Sequence, residues 1–251
     1  MIIGHFHKGS GIGNQLFRYV FARVKAKDLG TDFGMTGEFK GAHFMNLAYA
    51  PVTQAQCEML RNAIPSFEEE RINNLQGVDI RPYDEKTLEI GSDCIVDGEF
   101  QDERYFMHRL DEVREWLKVE PLDMPDDLCV INFRGGEYVG VKDLFLPQSY
   151  WNEAIQKMKE VNKNMMFEVH TDDVETARMF FPDCKIIANM EINWRSIRYA
   201  KYLILSNSSF AILPALLNEN AELILAPMYW AGYNVGYWKL PQNQYKKFNY
   251  I

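Results

Sequence analysis

Short apolar runs alternate with amphipathic stretches most clearly in the second half of the chain. Cys129 to Phe133, Met165 to His170, Lys185 to Ala188, Tyr202 to Leu205 and Leu223 to Ala226 are brief and rich in Val, Ile and Leu. Helical patterns separate them, from about Gln148 to Val161, Val174 to Phe181, Trp194 to Lys201 and Ser209 to Leu217. Apolar strands alternating with helices predict a parallel sheet covered on both faces, a doubly wound half. The chain begins in the same order. A strand, Ile2 to Phe6, precedes Gly9-Ser10-Gly11-Ile12-Gly13 and a helix from about Asn14 to Leu29. Phe17, Val20, Phe21 and Val24 give that helix one apolar face, and Gly30 supplies its stop.

Between residues 31 and 95 the pattern is faint, with a helix expected at Met59 to Ala63 and a strand at Cys94 to Val96. Arg104 to Lys118 reads as an amphipathic helix through Phe106, Leu110, Val113 and Leu117. The stretch Glu120 to Asp127, with Pro121 and Pro125, reads as a linker dividing the chain into 1–122 and 123–251.

With 251 residues and 47% hydrophobic composition, the chain has material for a large core or two smaller ones. Its net charge of -8 argues against nucleic acid as a partner, because phosphate neutralisation needs a basic surface. A single Arg beside a helix N-terminus would still hold a pyrophosphate. Cys57, Cys94, Cys129 and Cys184 are scattered, which predicts neither disulfides nor a zinc site and suits a reducing compartment. No stretch approaches the roughly 18 apolar residues of a membrane span, and the N-terminus lacks the features of a signal peptide. The expected location is therefore the cytoplasm, with a peripheral contact to a membrane-borne acceptor left open.

In doubly wound sheets ligands bind outside the carboxyl ends of the strands. Three segments follow strand ends here. Asn132-Phe133-Arg134-Gly135-Gly136-Glu137-Tyr138 offers a guanidinium fork suited to phosphate oxygens, with glycines that would let phosphates approach the backbone. The plain alternative is a solvent-facing Arg in a glycine turn. Ser206-Asn207-Ser208-Ser209-Phe210 opens a helix, whose free N–H groups and dipole make an anion seat; the alternative is an ordinary serine cap. Sharing one sheet rim favours the ligand reading of both. In His170-Thr171-Asp172-Asp173, Asp173 is expected to cap the next helix and Asp172 stays open. A metal is not expected, since the adjacent acids have no third ligand nearby.

The N-terminal loop reads G-x-G-x-G rather than the dinucleotide fingerprint, so a dehydrogenase fits poorly. His5 and His7 alternate on one strand and share a face, where one could serve as a base.

Taken in order, four segments resemble the α-1,2-fucosyltransferases (glycosyltransferase family 11). Gly11-Ile12-Gly13-Asn14-Gln15-Leu16-Phe17 is similar to the family's G-L-G-N-Q-M/L-F opening. Asp97 to Phe106 resembles G-Y-F-Q-S-E-x-Y-F, Asn132 to Tyr138 falls where the family has H-x-R-R-G-D-Y, and Ser206 to Phe210 matches S-N-S-S-F.

The resemblance implies a GT-B architecture, two Rossmann-like halves facing a central cleft, with the acceptor side in the first and the donor in the second. It implies GDP-fucose as donor, a glycan hydroxyl as acceptor, inversion at the sugar carbon, and neither metal nor cofactor. Arg134 would bind the pyrophosphate and stabilise the leaving group, with Glu137 as a candidate catalytic acid or base. Asn132, Asn193, Ser208, Ser209 and Phe210 would contact the donor, and Gly11, Gly13, Asn14 and Gln15 would line the cleft. Asn132 replaces the family histidine, Gly135 its second arginine and Glu137 its aspartate. Asn193 stands where an aspartate would pair with guanine, with Glu191 close by. Ala211-Ile212-Leu213-Pro214 replaces the usual tryptophans. Asn193 motivates an alternative nucleotide sugar, and Asn132 with Gly135 motivates a non-catalytic binding protein. The aromatic tail from Tyr229 to Tyr250 is expected to pack back across the first half.

Overall fold

A computed structural model describes residues 1–73, 79–232 and 245–251. The chain forms two compact units, Met1–Lys118 and Val119–Ile251. The division falls just ahead of the proline stretch, which belongs to the second unit.

In unit 1, β1 (Ile2–Phe6) leads through the glycine turn into α1 (Ile12–Leu29), which ends at Gly30 with φ 63°. Then follow β2 (Phe33–Gly37), β3 (Ala50–Pro51), α2 (Gln54–Arg61), β4 (Ser66–Glu68), a small antiparallel pair β5 (Ile72–Asn73) and β6 (Asp79–Ile80), β7 (Cys94–Asp97) and α3 (Leu110–Trp116). The main sheet runs β3-β2-β1-β7-β4 and is parallel throughout. Ile2, Ile3, Leu16, Phe17 and Val20 are fully buried where α1 covers it.

Two expectations shift here. Helix α2 starts earlier than Met59 because Thr53 caps it, accepting from the Gln56 amide while the Gln56 side chain accepts from the Thr53 amide. The helix expected from Arg104 is instead two 3-10 turns followed by α3. Asp102 binds both the amide and the guanidinium of Arg104, and Phe106 leaves helical geometry (φ -143°) to bury its ring against Phe17.

Unit 2 contains β8 (Leu128–Phe133), α4 (Gln148–Val161), β9 (Met166–Thr171), α5 (Val174–Phe180), β10 (Lys185–Ile187), α6 (Met190–Tyr199), β11 (Tyr202–Ile204), α7 (Ser209–Leu217), β12 (Leu223–Ala226) and β13 (Asn249–Tyr250). The strand order is β10-β9-β8-β11-β12-β13, again all parallel. Counted within the unit this is 3-2-1-4-5-6, the doubly wound order whose direction reverses between β8 and β11. One face buries Cys129, Ile131, Phe133, Trp151, Ala154 and Val169. Helix α7 is buried almost all round, as its uniformly apolar sequence requires. The expected α/β architecture with two parallel sheets is thus observed.

The tail departs from expectation. Its described end adds β13 to the sheet of unit 2, and Tyr245 and Phe248 are buried there. Tyr233, Tyr237 and Trp238 lie outside the described residues.

Candidate functional site

The reversal point of unit 2 brings the two predicted anion-binding segments together. Ser206 donates its hydroxyl to Asn132 Oδ1 at 2.6 Å, and the Tyr138 hydroxyl donates to the Asn207 carbonyl at 3.4 Å. Asn132 and Ser206 are both buried, so they tie the strand ends rather than face solvent. Ser208 is the N-cap of α7 and its hydroxyl makes no cap hydrogen bond. The Ser208 amide donates to the Ser206 carbonyl at 2.9 Å and the Ala211 amide to the Ser208 carbonyl at 3.0 Å, which leaves the Ser209 and Phe210 amides and the positive dipole end at the start of α7. Ser209 opens the helix, while the Phe210 ring packs against Trp194 at 5.7 Å between centroids.

Arg134 follows β8 directly. Its guanidinium donates to Glu137 Oε1 at 2.9 Å, pairs with Asp172 Oδ2, and lies 5.2 Å from the centre of the Tyr138 ring. The side chain of Glu137 is 75% exposed, which makes this arm of the pair easy for an incoming anion to replace. Glu137 is placed as a partner of Arg134, which ties up a carboxylate oxygen that the sequence reading offered to catalysis.

The paired glycines serve a purpose the sequence did not show. Asp172 Oδ1 accepts from the Gly135 amide at 2.9 Å, and Asp173 Oδ2 accepts from the Gly136 amide at 3.2 Å. A Cβ on Gly135 would lie 2.6 Å from Asp173 Cβ, and Gly136 has φ 44°. These glycines admit two aspartates, so their amides are engaged by the protein. Asp173 also caps α5 through the Thr176 amide, as expected, and these hydrogen bonds, led by the one from the Thr176 side chain, hold its carboxyl below the usual range.

Asn193 points inward. Its Nδ2 donates to the Thr171 carbonyl at 3.2 Å, which turns Oδ1 toward His170 Nδ1 at 2.9 Å. On the other side of the fully buried His170 ring, Nε2 meets Glu168 Oε1 at 2.9 Å, and Glu168 also takes Lys185 at 2.6 Å. The hydrogen bond from His170, supported by Lys185 against the cost of burial, pulls the Glu168 carboxyl down to about 2. Asn193, expected at the donor, is committed to this buried row. No sequence signal marked Glu168 or His170 as its members.

Unit 1 has its own reversal point, between β1 and β7. His7 Nε2 donates to Asp97 Oδ1 at 2.9 Å, and His5 lies beside His7 with ring centres 5.5 Å apart. Arg18 reaches from α1 to the Gly98 carbonyl at 2.6 Å, Glu99 Oε1 at 2.6 Å and Ser10 Oγ at 2.8 Å. Burial pushes the Glu99 carboxyl up despite Arg18. Burial also raises Asp97, but His7 and Arg18 outweigh it and leave that carboxyl below its ordinary range. Burial lowers the His5 imidazole, with Asp97 opposing.

Below this cluster Glu69, 1% exposed, accepts from the Glu99 and Phe100 amides at 2.7 and 3.0 Å and from Tyr105. Burial lifts its carboxyl to about 7. Those bonds hold Phe100 at φ 49°, unusual for a residue with a side chain. Arg18 could have been singled out as a cation between Phe17 and Tyr19, among the apolar residues of α1; Glu69, inside a run of three glutamates, could not.

The remaining opening residues divide. Gly11 is the N-cap of α1 and faces open space, whereas Gly13 is buried in the first turn. Asn14 Oδ1 accepts from Gln101 at 3.2 Å. Gln15 is fully buried and pins the loop at Glu38 and Lys40, a structural task in place of the expected cleft-lining one.

No family model matches the chain. A curated relative, the alpha-1,2-colitosyltransferase of Escherichia coli, is 28% identical over 158 residues, which is 53% of this chain and 54% of the relative. This chain is similar to an alpha-1,2-colitosyltransferase. The match spans about half the length of that relative, and it bears out the likeness to fucosyltransferase-type enzymes read from the motifs. Among solved structures, the fucosyltransferase NodZ from Bradyrhizobium superposes with a TM-score of 0.49 at 14% identity, covering 89% of this chain and 94% of that one. The E. coli heptosyltransferase WaaC with ADP gives 0.46 at 13% identity, covering 99% and 95%. Neither of these two likenesses bears on the chemistry.

Proposed function

We propose that the chain is an inverting glycosyltransferase that takes a nucleotide-sugar donor at the reversal point of unit 2. The donor proposed is GDP-fucose and the acceptor a glycan hydroxyl. The observation that carries this is the joining of Arg134 and the open N-terminus of α7 at adjacent strand ends, through Ser206–Asn132 and Tyr138–Asn207.

The acceptor oxygen attacks the anomeric carbon as the carbon–oxygen bond to the diphosphate breaks, and a single displacement inverts the carbon. The diphosphate gains negative charge as it leaves. Preorganised donors aimed at developing charge are commonly the largest catalytic contribution. Arg134 supplies a charged fork and the α7 amides a dipole end, so the reaction proposed needs no metal. An anion at this site displaces the exposed Glu137 from Arg134, while Asp172 keeps the guanidinium oriented.

Calorimetry with GDP, UDP and ADP, followed by incubation of labelled GDP-fucose with a panel of saccharide acceptors, tests the reading. Transfer is expected to survive excess EDTA. Arg134→Ala is expected to weaken diphosphate binding by about 2–4 kcal/mol, as for the loss of one partner of a charge-assisted pair. Unchanged affinity in that variant would refute the assignment.

A second reading keeps the reaction and changes the base. Asn193 is turned onto His170 and Thr171, which favours a donor whose base is not gripped from this position. Tighter binding of UDP or ADP than of GDP would establish it.

A further inference from the structure

A cavity of about 470 Å³ opens on unit 1, at the edge of the sheet opposite the strand ends that carry His7 and Asp97. That volume is in the range of small-molecule sites. Met1, Asp32 and Tyr49 stand just ahead of β1, β2 and β3, and α1 supplies Arg23 and Lys27 from its last two turns. Every residue lining the cavity belongs to unit 1.

Arg23 is half-buried on the cavity wall, and no carboxylate pairs with it among the described residues. Its Nη1 donates to the Tyr19 hydroxyl, which itself donates to the Ala48 carbonyl at 3.1 Å. Three rings surround the guanidinium, whose carbon lies 4.1 Å from the centre of Trp116, 5.6 Å from Phe33 and 5.8 Å from Tyr19. The fork is thus held in place while the described residues offer Nε and Nη2 no acceptor. A guanidinium drawn partly out of water gains from an oxyanion that meets two of its N–H groups.

Lys27 is the second cation. Its ammonium is 3.4 Å from Glu112, which Arg109 holds more closely at 2.6 Å, and its side chain is 54% exposed. Such a loose surface pair does little to keep Lys27 from the cavity. Two cations match a phosphate monoester, with its charge of about −1.5 to −2 near neutral pH, better than a singly charged carboxylate. The walls between them are apolar, with Phe33 and Tyr49 beside small alanines. Asp32 is exposed at the rim with no ion pair among the described residues, and its carboxylate suits a hydroxyl donor.

We propose that this cavity binds a sugar phosphate, a small polyol carrying one phosphate monoester, with no residue of the donor site taking part. Arg23 holds two phosphate oxygens through Nε and Nη2, and Lys27 balances the second charge. The C–H face of the sugar lies on Phe33 and Tyr49, and one of its hydroxyls donates to Asp32. The proposal stands independently of the glycosyltransferase reading.

Calorimetry with glucose-6-phosphate, glucose and inorganic phosphate tests it, on the wild type and on Arg134→Ala, in which the donor site is weakened. Glucose-6-phosphate should bind both with a Kd of about 1 mM or tighter, a modest affinity suited to a few polar contacts, and glucose should not bind. Arg23→Gln should weaken that binding by about tenfold or more, as for the loss of one charge-assisted contact. Because Arg23 also joins α1 to α3 through Trp116, Ala48→Glu is the second variant. Ala48 is exposed on the wall, so a carboxylate there should abolish binding while the urea midpoint stays that of the wild type. Absence of glucose-6-phosphate binding by the wild type at about 10 mM overturns the proposal. Wild-type affinity in folded Arg23→Gln or Ala48→Glu also overturns it. Binding lost in Arg134→Ala alone places the phosphate in the donor site and overturns it as well. Inorganic phosphate binding as tightly as glucose-6-phosphate overturns the assignment to a sugar phosphate.

Discussion

The two units share a parallel sheet that reverses direction beside its first strand, with different strand orders beyond that point, and they treat their most buried carboxylates differently. Each has a parallel sheet with a reversal point, and each places polar side chains at the strand ends there. In unit 1 the buried carboxylates Glu69 and Glu99 are driven up by desolvation, which their hydrogen bonds only partly offset. In unit 2 Glu168 and Asp173 are held down by well-directed donors. Burial alone does not set the direction; it depends on whether enough charge or hydrogen bonding reaches the carboxylate to repay its lost water. A site with its acids tied down and a guanidinium on its rim suits anion binding.

The largest effect expected is from His170→Ala. It removes the main partner of Glu168 and leaves Asn193 Oδ1 facing a cavity, which should cost about 3–5 kcal/mol in chemical denaturation of unit 2. A loss below about 1 kcal/mol would mean that Lys185 alone suffices to hold Glu168 and that the buried row is not a unit.

Next comes the pH dependence, whose sign differs between Glu69 and Glu168. The Glu69 carboxyl is raised above its ordinary value of 4.5 to about 7, so the folded state keeps a proton that the unfolded state releases. Its contribution is present below 4.5 and is lost as pH rises to about 7, a change of about 3 kcal/mol for a group this buried. Glu168 is lowered from 4.5 to about 2, so its contribution is present above 4.5 and is lost as pH falls through that window. The Glu69 contribution to the urea midpoint of unit 1 should therefore fall as pH rises from about 4.5 to about 7, and the Glu168 contribution to that of unit 2 should fall as pH drops below about 4.5. Glu69→Gln should flatten the dependence of unit 1 above pH 5, and a slope unchanged in that variant would locate the effect elsewhere.

The smallest effect expected is from Asp173→Ala, which removes the α5 cap and one contact to the glycine turn. About 1 kcal/mol is the usual cost of such a cap. A loss of diphosphate binding together with that small destabilisation would show that the Gly136 contact also sets the position of Arg134.

Much of the architecture follows from local chemistry that the chain writes out. Strands buried on both faces must be largely apolar, so β8, β11 and β12 stand out, and α7 is recognisable by its serines followed by an apolar run. The Asp173 cap is local and was legible for the same reason. Strand β2, Phe33–Gly37, was not, because two of its five residues are glycines and its pairing with β1 supplies what its own sequence lacks. Strand β13 is two residues long and exists only through its pairing with β12.

The amino-acid sequence by itself thus determined the parallel α/β character, the strand-end position of Arg134 and Ser208, and the likeness to fucosyltransferase-type enzymes. Only the tertiary structure decided the partners. It filled the glycine turn with Asp172 and Asp173, turned Asn193 onto His170, and gathered Glu69, Arg18 and Asp97 beneath His7. The physical reason is range. Periodicity and caps are fixed by neighbours within a helical turn or a pleat, whereas these hydrogen bonds join residues that come together only when separate strands are laid side by side.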